Sequence, residues 1–484
     1  GTERKSVAVL PFKSPKDQKH FADGLSDELI NGFSQIQGVQ VLARTSSFSF
    51  KNQNLDAVKI GERLRVAWVI EGEVQKSKDR LRVRARLVET ETGVVEWSEE
   101  YEDRLLDDIF DVQDKITRSI IDQLGVGLLG KEEVLLEKRR GRRVKPSVYD
   151  DYLKARAAWA DRFEGRLKDA MEGFEKVIKE EPGYAPAHSG LADCYTVLGW
   201  YTFMPSKVAF GAAAEFSKRA LELDPSSADA HASEALIQTL LKWDWKTAEH
   251  HFSVSIDLKP TNPVVRWWHS FLLVVQGKAG EALEQGERAL TEEDPFSRVI
   301  HANVGWLRHL AGDSASALTQ LQETKDRWPE FALTYVFLGW VQEQCGNLDE
   351  AIQAWNDAQE QFNRFGTPMP SLALQTAHTL ALMGKKQEAH AILADCDAKA
   401  ALDEPVYYSP VNRAAVHVAL GDIDEAMQWL ARAEEIHDCW LLVLDRDPRY
   451  RPLREMRAEE FSEIVKRVEH FSETAQRVGL HLRE

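Results

Sequence analysis

The chain is poor in cysteine: four among 484 residues, Cys194, Cys345, Cys396 and Cys439. They lie far apart with no C-x-x-C pair, which argues against a disulfide framework or redox motif and reads as packed thiols. Long apolar runs are also missing. Although 43% of residues are hydrophobic, no stretch approaches the ~18 uninterrupted apolar residues of a membrane-spanning helix. Positive charge is in deficit, with 61 Lys and Arg against 78 Asp and Glu for a net charge of −17. That balance argues against a general nucleic-acid binder, because phosphate contacts need a basic face. No G-x-S-x-G elbow, phosphate-binding P-loop or kinase signature occurs, so nucleophilic and phosphoryl-transfer chemistry has no support and no enzyme activity is expected. The string Gly125-Val-Gly-Leu-Leu-Gly130 matches G-x-G-x-x-G. It follows a helical stretch rather than a strand, so it reads as a helix cap or link, and no cofactor is expected. His188, His231, His250, His251, His269, His301 and His309 are scattered without carboxylates or cysteines at ligand spacing, and no metal is expected.

What is abundant is a repeat. Ala170, Ala213, Ala248, Ala282, Ala317, Ala351, Ala389 and Ala426 mark a register in which the residue five earlier is Gly165, Trp243, Gly277, Gly312, Gly346, Gly384 or Gly421, with only the second copy out of step. Pro182, Pro225, Pro260, Pro295 and Pro329 follow downstream. Gly at the end of a first helix permits a left-handed cap, Ala on the second lets two helices approach, and Pro stops the second. This ~34-residue period resembles tetratricopeptide helix–turn–helix units. The resemblance implies an all-α superhelical solenoid of about eight helix pairs over 148–436. The longer step between the first two prolines is expected to be a loop insertion near Trp200–Val208.

Residues 1–130 follow a different pattern, that of an α/β domain. Val7–Phe12, Val39–Ala43, Ala67–Val74, Leu81–Glu89 and Val94–Tyr101 read as strands, the last three as a meander turned at Lys78-Asp79 and Thr92-Gly93. Phe21–Ile36, Leu55–Leu64 and Asp107–Leu124 read as helices. The segments Val7-Ala-Val-Leu-Pro-Phe12, Phe21-Ala-Asp-Gly-Leu25, Leu42-Ala-Arg-Thr-Ser-Ser-Phe48, Val69-Ile-Glu-Gly-Glu-Val74 and Asp108-Ile-Phe-Asp-Val-Gln113 resemble the TolB-like N-terminal domain of bacterial regulators, where it precedes tetratricopeptide repeats. The run Trp440-Leu-Leu-Val-Leu-Asp-Arg-Asp-Pro-Arg-Tyr-Arg-Pro-Leu-Arg454 resembles the end of such proteins. In that architecture an effector stands upstream: an adenylate cyclase-type enzyme, a winged-helix domain or a kinase. Gly1-Thr2, running directly into a strand without an initiator Met, is the expected mark of a chain that continues upstream. Residues 131–147, including the basic run Lys138–Lys145, are expected to form a linker, and 437–484 a helical cap.

The resemblance implies recognition of a protein or peptide. Its groove-facing positions place Trp159, Phe271, Trp306 and Trp340 on the inner wall, with Trp267 beside them and His309 and Glu343 on a polar edge. These seven are the candidate partner contacts. Two readings of that trough stand open: a partner buries in it, or the chain's own superhelix or tail fills it. The functional expectation is a signalling scaffold that contacts no nucleic acid, and reaches a membrane only through an upstream segment in a periplasm-facing arrangement. The contrasting expectation is a small-molecule sensor where the α/β domain meets the first repeats.

Overall fold

The computed structural model describes residues 4–478 apart from 52, 54, 78–79, 106–108 and 142–143. The expected turn at Lys78-Asp79 thus lies outside the described residues.

Five strands form one sheet, β1 (Lys5–Val9), β2 (Val39–Val41), β3 (Trp68–Ser77), β4 (Arg80–Glu89) and β5 (Val95–Leu105), in the order β2-β1-β3-β4-β5. β1 is parallel to both neighbours, while β3, β4 and β5 run antiparallel. Strict alternation explains β4: Leu81, Val83, Ala85 and Leu87 face inward and the arginines between them face out. Helices α1 (Lys19–Phe33) and α4 (Ile109–Gln123) supply Leu25, Leu29, Phe33, Ile116 and Ile120 to one core. A second, smaller core joins Ala8, Val69, Leu10, Ile60 and Leu64 with α3 (Ala57–Leu64), which follows the short α2 (Arg44–Phe48).

The expected linker is partly a helix, α5 (Gly130–Gly141). Its Leu136 enters the first core, and the buried Glu132 accepts from the backbone N–H of Gln37 at 2.8 Å. Charge hid it from the sequence, because its apolar residues are outnumbered by Lys, Arg and Glu.

From Pro146 to Glu435 the chain makes eight antiparallel helix pairs. These are Pro146–Ala160 with Leu167–Glu180, Ala185–Trp200 with Ser206–Leu223, Ala228–Ile237 with Trp245–Leu258, and Pro263–Val275 with Ala279–Arg288. They continue as Arg298–Leu310 with Ser314–Arg327, Ala332–Gln344 with Leu348–Arg364, Ser371–Leu382 with Lys386–Ala400, and Pro410–Leu420 with Ile423–Glu435. We call them repeats 1–8, with a first helix A and a second helix B. Repeat 5 shows the local logic. Ser297 caps helix A by accepting from Ile300 N–H, Gly312 reverses the chain at φ +94°, and Asp313 caps helix B by accepting from Ser316 N–H. In repeat 3 a tryptophan takes the glycine's place, Trp243 at φ +52°. The extra residues of repeat 2 lengthen its helices to 16 and 18 residues, against 13 and 14 in repeat 5, rather than forming a surface loop alone.

The histidines have a structural use. Six residues after each loop proline stands a donor to that proline's carbonyl: His188 to Pro182 at 2.9 Å, His231 to Pro225 at 3.1 Å, Arg266 to Pro260 at 2.7 Å, His301 to Pro295 at 2.9 Å and Tyr335 to Pro329 at 2.6 Å. Burial lowers the pKa of all three histidines, so each can donate one ring N–H while neutral.

The α/β domain lies along the edge of the solenoid made by the loops that follow helix B. Thr261 N–H donates to Ser34 O at 3.4 Å, Ala43 N–H to Glu293 O at 2.9 Å, and Lys138 Nζ to Ser226 Oγ at 2.9 Å. Asp294 Oδ1 accepts from Ser46 N–H at 3.0 Å and Ser46 Oγ at 2.6 Å, so a solenoid carboxylate caps α2. Phe50 meets Phe296 edge to face at 5.4 Å.

Two measurements test this packing. A Cβ on Gly339 would lie 2.5 Å from the Trp355 ring, and one on Gly305 2.8 Å from Leu321, whereas one on Gly211 would touch nothing within 4 Å. Ala at 305 or 339 is expected to destabilise by ~1–3 kcal/mol through overpacking, and Ala at 211 to stabilise by ~0.5–1 kcal/mol by helix propensity, as read by thermal melts. Asp294, 4% exposed, has its pKa pushed up from 3.8 to about 6, by burial against the opposing bonds from Ser46. The folded state therefore holds the proton more tightly than the unfolded chain. This contribution is fully present below pH 3.8 and is lost as pH rises through about 6. Melts at pH 5 and 7.5 should differ by ~1.4 kcal/mol from this group alone, about half of what the full shift contributes below pH 3.8. Asp294→Asn should remove that step, and an equal step in both proteins would refute the assignment.

Candidate functional site

The inward positions of successive A helices build a continuous line of rings. Trp200 lies 5.8 Å from Trp267 and 5.0 Å from Phe271, and both of these lie about 6 Å from Trp306, at 6.0 and 6.1 Å. Trp306 stacks on Phe337 at 5.3 Å with planes 5° apart and meets Trp340 at 5.7 Å. The line ends on Trp440, which stands 5.8 Å from Trp306 and 5.7 Å from Trp340.

The superhelix also closes on itself. Phe163, in the turn of repeat 1, meets Phe331 at the start of repeat 6 at 6.0 Å, and Phe203 meets Phe362 at 6.4 Å. The space left among Trp200, Trp306, Phe337, Trp340 and Trp440 is about 20 Å³, room for about one water. The trough is thus filled by the chain itself. Trp267 (4% exposed), Phe271 (1%) and Trp306 (4%) are core residues, and their expected role as free partner contacts is corrected accordingly.

Glu343 is corrected for a second reason. Its Oε1 lies 2.9 Å from His378 Nδ1, and its other oxygen accepts from Thr379 Oγ1, which also receives the Trp355 indole N–H at 3.0 Å. Burial alone would raise its pKa; His378 and Thr379 outweigh that and hold it low. Trp159 stands apart from the others in repeat 1, half-buried, with the Arg162 guanidinium over its ring at 4.2 Å.

The tail that fills the trough is the short turn Cys439–Val443. Asp438 fixes its start, accepting from Trp440 N–H at 3.1 Å and, through its other oxygen, from Ser409 Oγ at 2.6 Å. From there the tail crosses the ends of several A helices. His437 stacks on Trp243 at 4.9 Å, and Arg446 Nη1 donates to Val275 O at 2.8 Å. The sequence carries one signal of this: an apolar run, Trp440–Leu444, after the last repeat and with no helix pair of its own to fill.

Along that edge a pocket of about 350 Å³ remains, lined by His309, Trp340, Gln344, Trp440, Arg446 and Arg449 among others. His309 Nδ1 lies 2.8 Å from Ser314 Oγ and its Nε2 contacts Gln344, and burial lowers its pKa. Arg449 is tied to Asp447 at 2.6 Å and to Gln375 and Asn412 at 3.1 and 3.3 Å. The indole N–H groups of Trp340 and Trp440 are buried and, among the described residues, meet no acceptor. Of the seven expected contacts, His309 and Trp340 line this pocket's open part, and Trp306 forms its floor.

At the junction of the α/β domain with repeats 1 to 3, the cavity between Glu28, Gln113, Tyr152 and Asp229 is only about 60 Å³, a space for a few waters rather than a metabolite. Among the described residues no three His, Cys, Asp or Glu side chains converge on a possible metal position, and no helix is long and apolar enough to cross a membrane.

Comparison with known proteins agrees with the repeat and refines the N-terminal domain. Residues 311–363 match the model of the tetratricopeptide repeat, and residues 3–119 match that of the HilA/YgeH-like transcriptional regulator, second domain. The α/β domain is therefore similar to a regulator domain, and its TolB likeness rests on the motifs alone. Putative adenylate cyclase 3 of Rhizobium meliloti (strain 1021) is 37% identical over 191 residues, which is 39% of this chain and 32% of that protein. The match spans about a third of the cyclase's length. Photosystem I assembly protein Ycf3 of Synechococcus elongatus is 30% identical over 120 residues, covering 23% of this chain and 69% of Ycf3. Among solved structures, yeast Tom70 is 13% identical over 93% of this chain and 88% of its own, with a TM-score of 0.39. YrrB, described as a TPR protein with an unusual peptide-binding site, is 22% identical over 40% of this chain and 93% of its own, with a TM-score of 0.25.

Proposed function

From the premise that the chain belongs to the tetratricopeptide-repeat proteins, we propose that it is an interaction scaffold taking a short peptide segment of a protein partner in the pocket along the A-helix edge. One observation carries this reading: two indole N–H groups, of Trp340 and Trp440, buried without an acceptor beside a pocket of about 350 Å³. An unmet buried donor costs ~1–3 kcal/mol, and a ligand carbonyl or carboxylate would recover it. The lining's charge favours an acidic segment. Arg446 and Arg449 line it with one carboxylate, Asp447, and Arg446 holds its place through a bond from Nη1 to the backbone carbonyl of Val275.

The finer parts of the proposal concern what the scaffold serves. A cyclase-named relative and a regulator's second domain both support an effector unit upstream, to which the TolB-like domain would relay partner binding. A membrane-anchored, periplasm-facing placement belongs to the same reading. Catalysis is assigned to the effector and not to this chain.

Selection of a displayed peptide library on the full chain tests it. Acidic peptides are expected to be enriched, and Trp340→Phe and Arg446→Gln should each weaken the selected peptide by about tenfold, ~1.4 kcal/mol, while far-ultraviolet circular dichroism shows both variants still folded. Failure to enrich any peptide, or equal affinity in both variants, would overturn the pocket assignment.

A further inference from the structure

A wide cavity lies in the α/β domain, away from the peptide pocket. It measures about 540 Å³ and opens at the C-terminal end of β1, against the chain Leu10–Ser14. The topology makes this the point where connections diverge. From β1 the chain passes through α1 to β2 on one side, and then returns through α2 and α3 to β3 on the other. In open sheets the crevice outside the strand ends at such a switch point is where ligands lie.

The cavity's chemistry is two-sided. Leu10, Phe12, Phe50, Leu55 and Ile60 form an apolar wall. The remaining lining is cationic on a chain of net charge −17: Lys13, Lys16, Lys19, Lys51, Arg84 and Arg86 stand against three carboxylates, Asp23, Glu71 and Glu73. Several of these charges are already matched. Lys51 pairs with Asp23, Arg86 with Glu71 at 2.7 Å, and Arg84 with Glu100 at 2.7 Å. Lys13, Lys16 and Lys19, three residues apart along the segment that leads into α1, have no ion-pair partner among the described residues, and of the lining carboxylates Glu73 is likewise without one, which leaves an excess of positive charge.

We propose that this cavity is a binding site for a small phosphate monoester with a flat apolar body, a molecule of nucleoside monophosphate size. Three lysines along one segment of the lining suit a phosphate dianion, for which lysine acts as a point charge. The volume falls within the ~300–1,000 Å³ of small-molecule sites, and the phenyl and aliphatic wall suits a ring. The loop Leu10-Pro11-Phe12-Lys13-Ser14 has no glycine, so recognition falls to lysine side chains rather than to a backbone cradle. The site also bears on domain docking. Phe50 belongs both to the cavity wall and to the contact with Phe296 of the solenoid, so occupation of the cavity touches a residue that holds the two parts together.

Calorimetry on the full chain with AMP, GMP and UMP as probes, and inorganic phosphate as the bare anion, decides it. At least one nucleotide should bind saturably, and phosphate alone more weakly. Lys13→Gln, Lys16→Gln and Lys19→Gln combined, all exposed side chains, should weaken binding at least about tenfold without lowering the melting temperature. Trp340→Phe, in the peptide pocket, should leave nucleotide binding unchanged, which separates this site from that one. Binding should also slow hydrogen exchange of the amides of residues 43–50. The proposal is overturned if no nucleotide binds at millimolar concentration, if the triple variant binds as the parent does, or if inorganic phosphate binds as tightly as the nucleotide.

Discussion

Each helix pair is rotated slightly against the last, and by repeat 6 the accumulated rotation has brought Phe331 onto Phe163 of repeat 1. From that contact onward the concave face is an interior. An interior must be filled to near-crystalline density, and flat rings fill a narrow channel at little cost in rotamer entropy. That is why the inward positions carry Trp200, Trp267, Phe271, Trp306 and Trp340, and why the tail contributes Trp440 as the final ring. The same aromatic side chains that would make an attractive docking groove in an open solenoid make a core in a closed one.

Closure leaves the solenoid two long edges, and each is used differently. The loops after helix B receive the α/β domain through Ser34, Ala43, Ser46 and Phe50. The ends of helix A receive the tail through His437, Trp440 and Arg446. The second edge is covered less completely, because a single segment of short turns does not satisfy every group it passes. Two indole donors and the pocket beside them are what it leaves. A partner segment entering there would lie beside the chain's own tail, which already occupies the position a longer ligand would take.

The repeat was legible because its constraints are local. A left-handed glycine, a small alanine and a stop proline act within one pair, as Gly312, Ala317 and Pro329 show. The five strands were legible because β4 alternates residue by residue. Helix α5 was not, since Lys and Arg interrupt its apolar face, and neither was α2, five residues long. Closure was the larger miss. It depends on a small rotation summed over several repeats, which no single repeat's sequence states. Glu343 was misread for a related reason: its partners His378 and Thr379 come from the following repeat and convert an apparent groove edge into a buried network. The histidines were assigned no chemistry, yet their spacing with the loop prolines held a signal. His188, His231 and His301 each stand six residues after one.

The short helix α2 shows how the two halves of the molecule depend on each other. Five residues cannot sustain a helix alone, since nucleation fixes several dihedrals for one hydrogen bond. Its position is therefore set from outside, by Asp294 capping Ser46 and by Phe296 against Phe50. Phe50, two residues beyond the helix, also forms part of the wall of the cavity in the α/β domain. The solenoid's grip on the α/β domain and the wall of that cavity thus share one residue, Phe50, at the end of one short turn.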